Sequence, residues 1–260
     1  LKEMWAQSAV NWFKANMTKN EVFTSRVLKL TGVSESNLAE EIDDLIASKN
    51  PTVAPYASLG EVKLRLTAKA ATLEEGQNLI QPIEKNICKR VGQKCYGFDN
   101  DTLSSVIIDI LRQRKETLSV AESCTGGGLG AELTAIPGAS DIFLGGVIAY
   151  NNSLKQKLLG VPKVFLEEHG AVSKNVVEHM AEAVRKLCGS DWGIAISGLA
   201  GPGGESKSKP VGLVQICISG PNLIESKAEI FNASKGRLAI QKLSVVCSLN
   251  RLRLILLARG

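Results

Sequence analysis

After residue 97 the chain alternates short apolar runs with helical segments, and this alternation restricts its possible folds more than any other feature. The apolar runs that predict strands lie at 117–121, 143–150, 192–197, 212–219 and 228–231. The segments whose periodicity predicts helices lie at 127–134, 155–159, 175–187 and 238–257. Strands that alternate with helices form a sheet covered by helices on both faces. The sequence therefore predicts an α/β fold with three layers, an α/β/α sandwich.

The first part of the chain follows a different pattern. Residues 40–46 predict an amphipathic helix that begins near Ser36. Residues 60–67 alternate polar and apolar side chains, as a half-buried strand does, and residues 74–91 predict a second helix. Between the first helix and the strand, residues 50–55 predict a turn. These elements indicate a small α+β module.

The glycines indicate where the two parts meet. Only four of the 24 glycines precede Gly97, and the surrounding residues 96–102 are typical of a turn. Asp101 or Thr102 is placed to cap the helical pattern that follows at 103–111. We therefore expect one domain at 21–96 and a second at 97–260. Residues 1–20 are too few to fold alone.

The charge of the chain is uneven. The formal net charge is +5, and the whole excess lies after residue 112. Residues 235–260 hold six basic side chains and no acidic one. A basic end is compatible with nucleic acid, an acidic membrane surface or a phosphorylated small molecule, and composition does not choose among them. No apolar run approaches the roughly 18–20 residues that span a bilayer, so a transmembrane protein is not expected.

The six cysteines indicate a reducing compartment. None forms a Cys-x-x-Cys pair, and no histidine lies near them at zinc-ligand spacing. Their number is too small for a disulfide scaffold in a chain of this length. We expect free thiols, no metal and a cytoplasmic protein. An organellar location stays open, because the chain begins at Leu1 rather than at a methionine.

The glycine-rich segment 121–129 carries the strongest chemical signal. It lies between a predicted strand and a predicted helix, so its backbone N–H groups are available to an anion or a developing oxyanion. Ser123 is a candidate nucleophile and Thr125 offers a second hydroxyl. The same pattern also suits a loop that grips phosphate, in which Ser123 only donates a hydrogen bond.

A serine nucleophile requires a base, and Lys155 is the candidate. It follows the end of the strand at 143–150, and a lysine whose pKa is lowered by burial accepts a proton readily. Tyr150 is placed to orient Lys155 or to contact substrate. The alternative is a solvated helix lysine, of which Lys157 is an example. His169 and His179 occupy polar contexts that favour surface or structural roles.

A third strand is followed by a glycine loop at 197–204. Open α/β sheets bind ligands where the carboxyl ends of their strands meet. We therefore expect the loops that follow the three strands to form one site.

Seven sequence blocks in this order resemble the CinA family. They are ESCTGG at 122–127, GGVIAY at 145–150, Lys155, LGV at 159–161, HGAVS at 169–173, GLAGPGG at 198–204 and KPVG at 209–212. These blocks are similar to the C-terminal nicotinamide-nucleotide amidase domain. Three earlier blocks resemble the KH-like middle region: EMW at 3–5, NPTVAPY at 50–56 and GEVKLRLTA at 60–68. The resemblance makes residues 1–20 the tail of a missing N-terminal, molybdopterin-binding-like domain.

The resemblance implies a mixed sheet in the second domain and a reaction. Nicotinamide mononucleotide and water would give nicotinic acid mononucleotide and ammonia, without a cofactor or metal. The family's serine, tyrosine and lysine fall on Ser123, Tyr150 and Lys155, and its arginine ahead of the last helix falls on Arg237, which we expect to pair with the substrate's phosphate. The family has threonine where this chain has Ser197. The residues expected to bind substrate are Cys124, Thr125, Gly126, Gly127, Ser197, Gly201, Gly203, Gly204 and Arg237.

The sequence leaves two alternatives to the amidase. A non-catalytic module that binds nucleotides or nucleic acid would use the KH-like region and the basic end. That region has no net charge and no Gly-x-x-Gly loop, so nucleic acid is not the expected partner. A nucleotide pyrophosphatase would need the missing N-terminal domain. The resemblance also implies a homodimer, and no membrane partner is expected.

Overall fold

The computed structural model describes residues 8, 10–12 and 21–259, and the structural statements below concern these residues. The expected tail of a preceding domain at 1–20 lies almost wholly outside them. The described chain forms two compact units, the first ending at Asp99 and the second beginning at Asn100.

The first unit is a small α+β fold. Its strands are β1 (Val22–Thr31), β2 (Thr52–Ser58), β3 (Glu61–Ala70) and β4 (Cys95–Phe98). Its helices are α1 (Glu35–Glu41), α2 (Asp43–Ile46) and α3 (Leu73–Val91). The strands form an antiparallel sheet in the order β2-β3-β1-β4. Buried leucines of β1 and β3 pack against Ile80 and Ile87 of α3 and form the core.

The first unit differs from the sequence-based predictions in several details. Strands β1 and β4 were not predicted, and β4 covers the first residues of the turn predicted at 96–102. The turn predicted at 50–55 is wrong, because strand β2 begins at Thr52 and pairs Val53 with Leu66 of β3. The predicted helix at 40–46 is instead divided at Ile42 into α1 and α2. Helix α1 begins at Glu35, close to the predicted start near Ser36, because the Ser34 side chain accepts a hydrogen bond from the Asn37 amide and caps it.

The second unit is a five-stranded mixed sheet with helices on both faces. Its strands are β5 (Leu118–Glu122), β6 (Phe143–Ile148), β7 (Trp192–Gly198), β8 (Leu213–Gly220) and β9 (Leu223–Ile230). Its helices are α4 (Leu103–Arg114), α5 (Gly128–Thr134), α6 (Asn152–Leu159), α7 (Lys163–His169), α8 (Lys174–Cys188) and α9 (Arg237–Ala258). The strand order is β6-β5-β7-β8-β9; β5 is parallel to β6 and β7, and β7-β8-β9 are antiparallel. The predicted three-layer sandwich with a mixed sheet is confirmed.

The sheet is buried between two helical layers. Helix α8 packs on β5, β7 and β8, while α9 packs on α4, α5 and β8. Because α8 lies so close to the sheet, a Cβ atom at Gly193 in β7 would lie 2.4 Å from the Ala181 carbonyl oxygen. Glycine is therefore required at this contact.

The second unit departs from the predicted pattern at its margins. Helix α7 was not predicted, and β9 begins at Leu223, well before the predicted start at residue 228. Strand β9 lies at the edge of the sheet and carries Glu225 and Lys227 in the missed part, so it lacks a continuous apolar run. Thr102 caps α4, as proposed, through reciprocal hydrogen bonds with Ser105.

Across the described residues, we find no helix that combines the length and the apolar character needed to span a membrane.

Candidate active site

The candidate site lies where the carboxyl ends of β5, β6 and β7 meet. Glu122 at the end of β5 is in register with Ile148 of β6 and with Ile196 of β7. The residues that follow these three positions therefore come together in space. They line a cavity of about 260 Å³.

Most of the site residues predicted from sequence line this cavity. Those that do are Ser123, Cys124, Tyr150, Lys155, Ser197, Gly201, Gly203 and Arg237. Four others lie outside its lining: Thr125, Gly126, Gly127 and Gly204. Their substrate-binding role stays a prediction. The side chain of Thr125 is buried, and within the described chain its hydroxyl has no hydrogen-bond partner.

Ser123 and Lys155 form a buried pair. The Lys155 Nζ atom donates to the Ser123 Oγ atom at 3.0 Å and to the Ala149 carbonyl oxygen at 2.8 Å. It also lies 3.3 Å from the Tyr150 carbonyl oxygen. Lys155 is 1% exposed, and this burial lowers the pKa of its amine below the ordinary value because the charged form loses its hydration. The pair joins a hydroxyl to an amine that can accept its proton.

Local sequence explains why Lys155 points back at the strand ends. The Asn151 side chain accepts from the Ser153 amide at 2.9 Å and starts helix α6 directly after β6. Lys155 then lies in the first turn of the helix, within reach of the residues that precede it. Gly160 ends the helix in a left-handed conformation.

Most backbone amides of the turn between β5 and α5 already donate hydrogen bonds within the protein. The Ser123 amide donates to Ile196 at 2.9 Å, and the Gly126 amide donates to Ser123 at 3.1 Å. The Gly127 amide donates to the Glu122 carboxylate at 3.1 Å. Within the part of the chain that the structure describes, the amides of Cys124 and Thr125 donate to no other residue, so they, rather than the Gly127 amide, are the candidate donors to an oxyanion.

Cys124 also lines the cavity but is a poor nucleophile. Burial raises the pKa of its thiol to about 12, so the reactive thiolate is scarce at neutral pH. The Gln241 side chain of α9 donates to the Cys124 carbonyl oxygen at 2.7 Å and holds the turn. Ser123, with its adjacent amine, is therefore the better nucleophile.

Arg237 and Tyr150 meet at the mouth of the cavity. The guanidinium of Arg237 donates to the Tyr150 hydroxyl at 2.6 Å and to the Gly201 carbonyl oxygen at 2.8 Å. Arg237 is half-buried as the first residue of α9, whereas Tyr150 is 58% exposed. Arg237 also lines an adjoining cavity of about 520 Å³, which shares Ala200 and Gly201 with the first. The Arg237 guanidinium therefore lies beside both cavities.

Ser197 has a hydrogen bond that sequence could not reveal. Its hydroxyl donates to the Ala171 carbonyl oxygen at 2.7 Å, and its side chain is 1% exposed. Ala171 and Val172 line the cavity. Ser197 therefore links β7 to the loop that precedes α8.

Several residues of the site were not predicted. They include Asn152, Ala171, Val172, Leu199 and Ala200 in the lining. Glu122 and Gln241 support the turn through hydrogen bonds. Ala171 and Val172 belong to the HGAVS block, so the resemblance of that block to the family is the sequence signal that could have identified them. Gln241 lies on a mostly apolar helix and offered none.

The two histidines lie outside the cavity lining. His169 Nε2 is 3.8 Å from a Glu168 carboxylate oxygen, and the His179 ring packs edge-on against Phe165. Their predicted structural roles agree with these contacts. Among the described residues, no group of three or more His, Cys, Asp or Glu side chains is arranged to hold a metal ion.

The second unit matches the CinA C-terminal domain over residues 100–256, and the first matches the damage-inducible protein CinA KH domain over residues 25–97. A CinA-like protein of Prochlorococcus marinus (strain MIT 9313) is 54% identical over 99% of this chain and 60% of its own length. A CinA-like protein of Synechococcus sp. (strain CC9902) is 51% identical over 100% of this chain and 62% of its own length. The chain thus spans about three-fifths of these curated relatives.

Solved structures resemble about three-fifths of the chain. The competence/damage inducible protein CihA of Agrobacterium tumefaciens is 34% identical, with a TM-score of 0.57 over 59% of this chain and 93% of its own. A CinA superfamily protein of Klebsiella pneumoniae is 31% identical, with a TM-score of 0.58 over 60% of this chain and 96% of its own. With both family models matched in order and the strand-end site in place, the chain belongs to the CinA family.

Proposed function

We propose that this chain hydrolyses the carboxamide of nicotinamide mononucleotide to a carboxylate and ammonia. The observation that carries the proposal is the buried contact of 3.0 Å between Lys155 Nζ and Ser123 Oγ. A serine next to a desolvated amine is an arrangement for acyl transfer. The resemblance of the sequence blocks to the amidase domain supplies the substrate.

In the first step Ser123 Oγ attacks the carboxamide carbon while the neutral Lys155 amine accepts the hydroxyl proton. Burial lowers the pKa of Lys155, so the neutral amine is available at a lower pH than for an exposed lysine. The carbonyl contacts from Ala149 and Tyr150 fix the position of the amine. The base is thereby held ready before substrate binds.

The carboxamide oxygen becomes negative as the carbon becomes tetrahedral. The amides of Cys124 and Thr125 are the donors that remain beside Ser123 to stabilise this charge. The Lys155 ammonium then returns its proton to the departing nitrogen, and ammonia leaves. Water, activated by the same amine, hydrolyses the ester on Ser123 and frees the carboxylate product.

Arg237 would bind the phosphate of the nucleotide. Its guanidinium is fixed by Gly201 and Tyr150 at the cavity mouth, and a fixed fork of donors suits a phosphate. The carboxamide would enter the inner cavity and the ribose phosphate would lie toward the adjoining one. The two ends of a mononucleotide would then lie at Ser123 and Arg237.

The direct test is to incubate the chain with nicotinamide mononucleotide and measure ammonia. We expect wild-type turnover and loss of at least about 10³-fold in Ser123→Ala. Ser208→Ala, an exposed serine outside both cavities, is the matched control and should retain wild-type activity. An active Ser123→Ala variant would overturn the nucleophile. Binding of the nucleotide without ammonia release would leave the non-catalytic module as the function.

A further inference from the structure

Glu122 is a buried carboxylate that the proposed reaction does not use directly. It is the last residue of β5, it directly precedes Ser123, and it is 1% exposed. Its Oε2 atom accepts from the amides of Gly127 at 3.1 Å and Leu129 at 3.0 Å, and its Oε1 atom accepts from Gly130 at 2.8 Å. Three backbone donors around one acidic group define a single geometry for the turn.

We propose that Glu122 is a positioning residue that holds the turn in the form needed to stabilise the oxyanion. By taking the amides after Gly126, the carboxylate anchors the far side of the turn to the end of β5. Among the described residues, the amides of Cys124 and Thr125, which directly follow Ser123, donate to no other residue. This inference rests on the proposed serine chemistry and adds a residue to it.

The charge state of Glu122 matters to this arrangement. An ionised carboxylate only accepts hydrogen bonds, so both of its oxygens suit a ring of N–H donors. A glutamine in its place would turn an NH₂ group toward at least one of these donors. Gly127 adopts a left-handed conformation with φ of 101°, so the turn depends on residues that hold an unusual backbone in place.

The proposed role of Glu122 concerns the oxyanion donors and not the base, Lys155. Burial lowers the pKa of Lys155. Its Nζ atom contacts Ser123 Oγ and the carbonyl oxygens of Ala149 and Tyr150, whereas the Glu122 carboxylate contacts only backbone amides of the turn and of α5. A change at Glu122 should therefore alter the height of the pH profile but not its midpoint. This separates an effect on the oxyanion donors from an effect on the amine.

The experiment compares Glu122→Gln with Glu132→Gln, a half-exposed glutamate of α5 whose Oε1 atom lies 2.5 Å from Lys242 Nζ. For each variant we would measure kcat, KM, the pH profile and the melting temperature. The second-order rate at which a fluorophosphonate labels Ser123 gives a readout that needs no nucleotide, because its phosphoryl oxygen occupies the oxyanion position.

For Glu122→Gln we expect kcat and the labelling rate to fall together by about 10- to 10³-fold, with KM changed by less than about threefold and an unmoved pH midpoint. Glu132→Gln should match wild type. If Glu122→Gln does not fold, the same measurements are made on Glu122→Asp. This variant keeps the negative charge but draws the carboxylate back by one methylene, away from the backbone amides. A folded variant with kcat and labelling within about twofold of wild type overturns the inference.

The two proposals fail separately. If wild type releases no ammonia but Ser123 is labelled, and labelling slows in the Glu122 variant, then the substrate is wrong and the positioning role stands. If ammonia is released equally by wild type and the variant, the positioning role is wrong and the amidase stands.

Discussion

Lys155 Nζ lies 3.0 Å from Ser123 Oγ although the two residues are 32 positions apart in the chain. Each follows the end of a different strand, and the parallel pairing of β5 with β6 brings the two ends together. The contact therefore depends on the strand register rather than on any local motif.

The pH dependence of catalysis should report the Lys155 amine. Only its neutral form accepts a proton, so kcat/KM should rise with pH through the pKa of Lys155 in the free enzyme. Burial lowers this pKa, so the midpoint should lie below the ordinary lysine value of 10.5. Ammonia release measured across pH gives the midpoint.

Substitutions test the assignment of that midpoint to Lys155. Lys155→Met should lower kcat by about 10²- to 10⁴-fold at every pH, because no base remains. Lys157→Met, on the exposed side of the same helix, should keep the wild-type profile. A Lys155→Met enzyme with an unchanged pH profile would show that another group is the base.

Arg237→Ala should raise KM for nicotinamide mononucleotide by about 10- to 10²-fold and change kcat little, if the guanidinium binds phosphate equally in the ground and transition states. The informative comparison is with nicotinamide riboside, which lacks the phosphate. Wild type should prefer the nucleotide strongly, and Arg237→Ala should lose most of that preference. The readout is the ratio of kcat/KM for the two substrates.

Two variants complete the test of Arg237. Lys235→Ala removes an exposed charge outside both cavities and should preserve the preference. Tyr150→Phe removes the hydroxyl that accepts from Arg237, so combining it with Arg237→Ala should give a non-additive change in KM. Equal loss of activity on both substrates in Arg237→Ala would argue against a phosphate contact.

Gly193→Ala should lower the free energy of unfolding by about 1–3 kcal/mol, because the added methyl group overpacks the interface of β7 with α8. It would lie 2.4 Å from the Ala181 carbonyl oxygen and 3.0 Å from Arg185 Cβ. Gly203→Ala is the control, since no atom lies within 4 Å of its added Cβ. Urea denaturation measures both, and equal stabilities would contradict the close approach.

Thr102→Ala should destabilise the chain by about 1 kcal/mol, because helix α4 loses its capping hydrogen bonds. The Thr102 hydroxyl accepts from the Ser105 amide at 3.0 Å. Thr134→Ala removes an exposed hydroxyl that bonds only to carbonyl oxygens of its own helix, and should change stability by less than about 0.5 kcal/mol. Thermal denaturation of the two variants gives the comparison.

The sequence predicted the buried strands of the second unit well because β7 and β8 are long apolar runs between glycines. It missed β1, β2, β4 and the first part of β9. Strands β2, β4 and β9 are edge strands that pair with one neighbour, and polar side chains such as Arg26 and Lys29 interrupt the apolar pattern of β1. In the site, Ser123 and Lys155 could be predicted from strand-end loops and family blocks. The Glu122 contacts could not, because they depend on the path of the backbone after Gly126.

All the residues that line the two cavities fall between Ser123 and Arg237, within the second compact unit. The reactive groups therefore all lie in one compact unit, which begins after the junction of Asp99 and Asn100. A gene fusion or truncation at that junction keeps every one of these groups on one polypeptide. A split between Ser123 and Lys155 would instead divide nucleophile from base, so reassembly of two such halves would restore ammonia release only when β5 and β6 pair again.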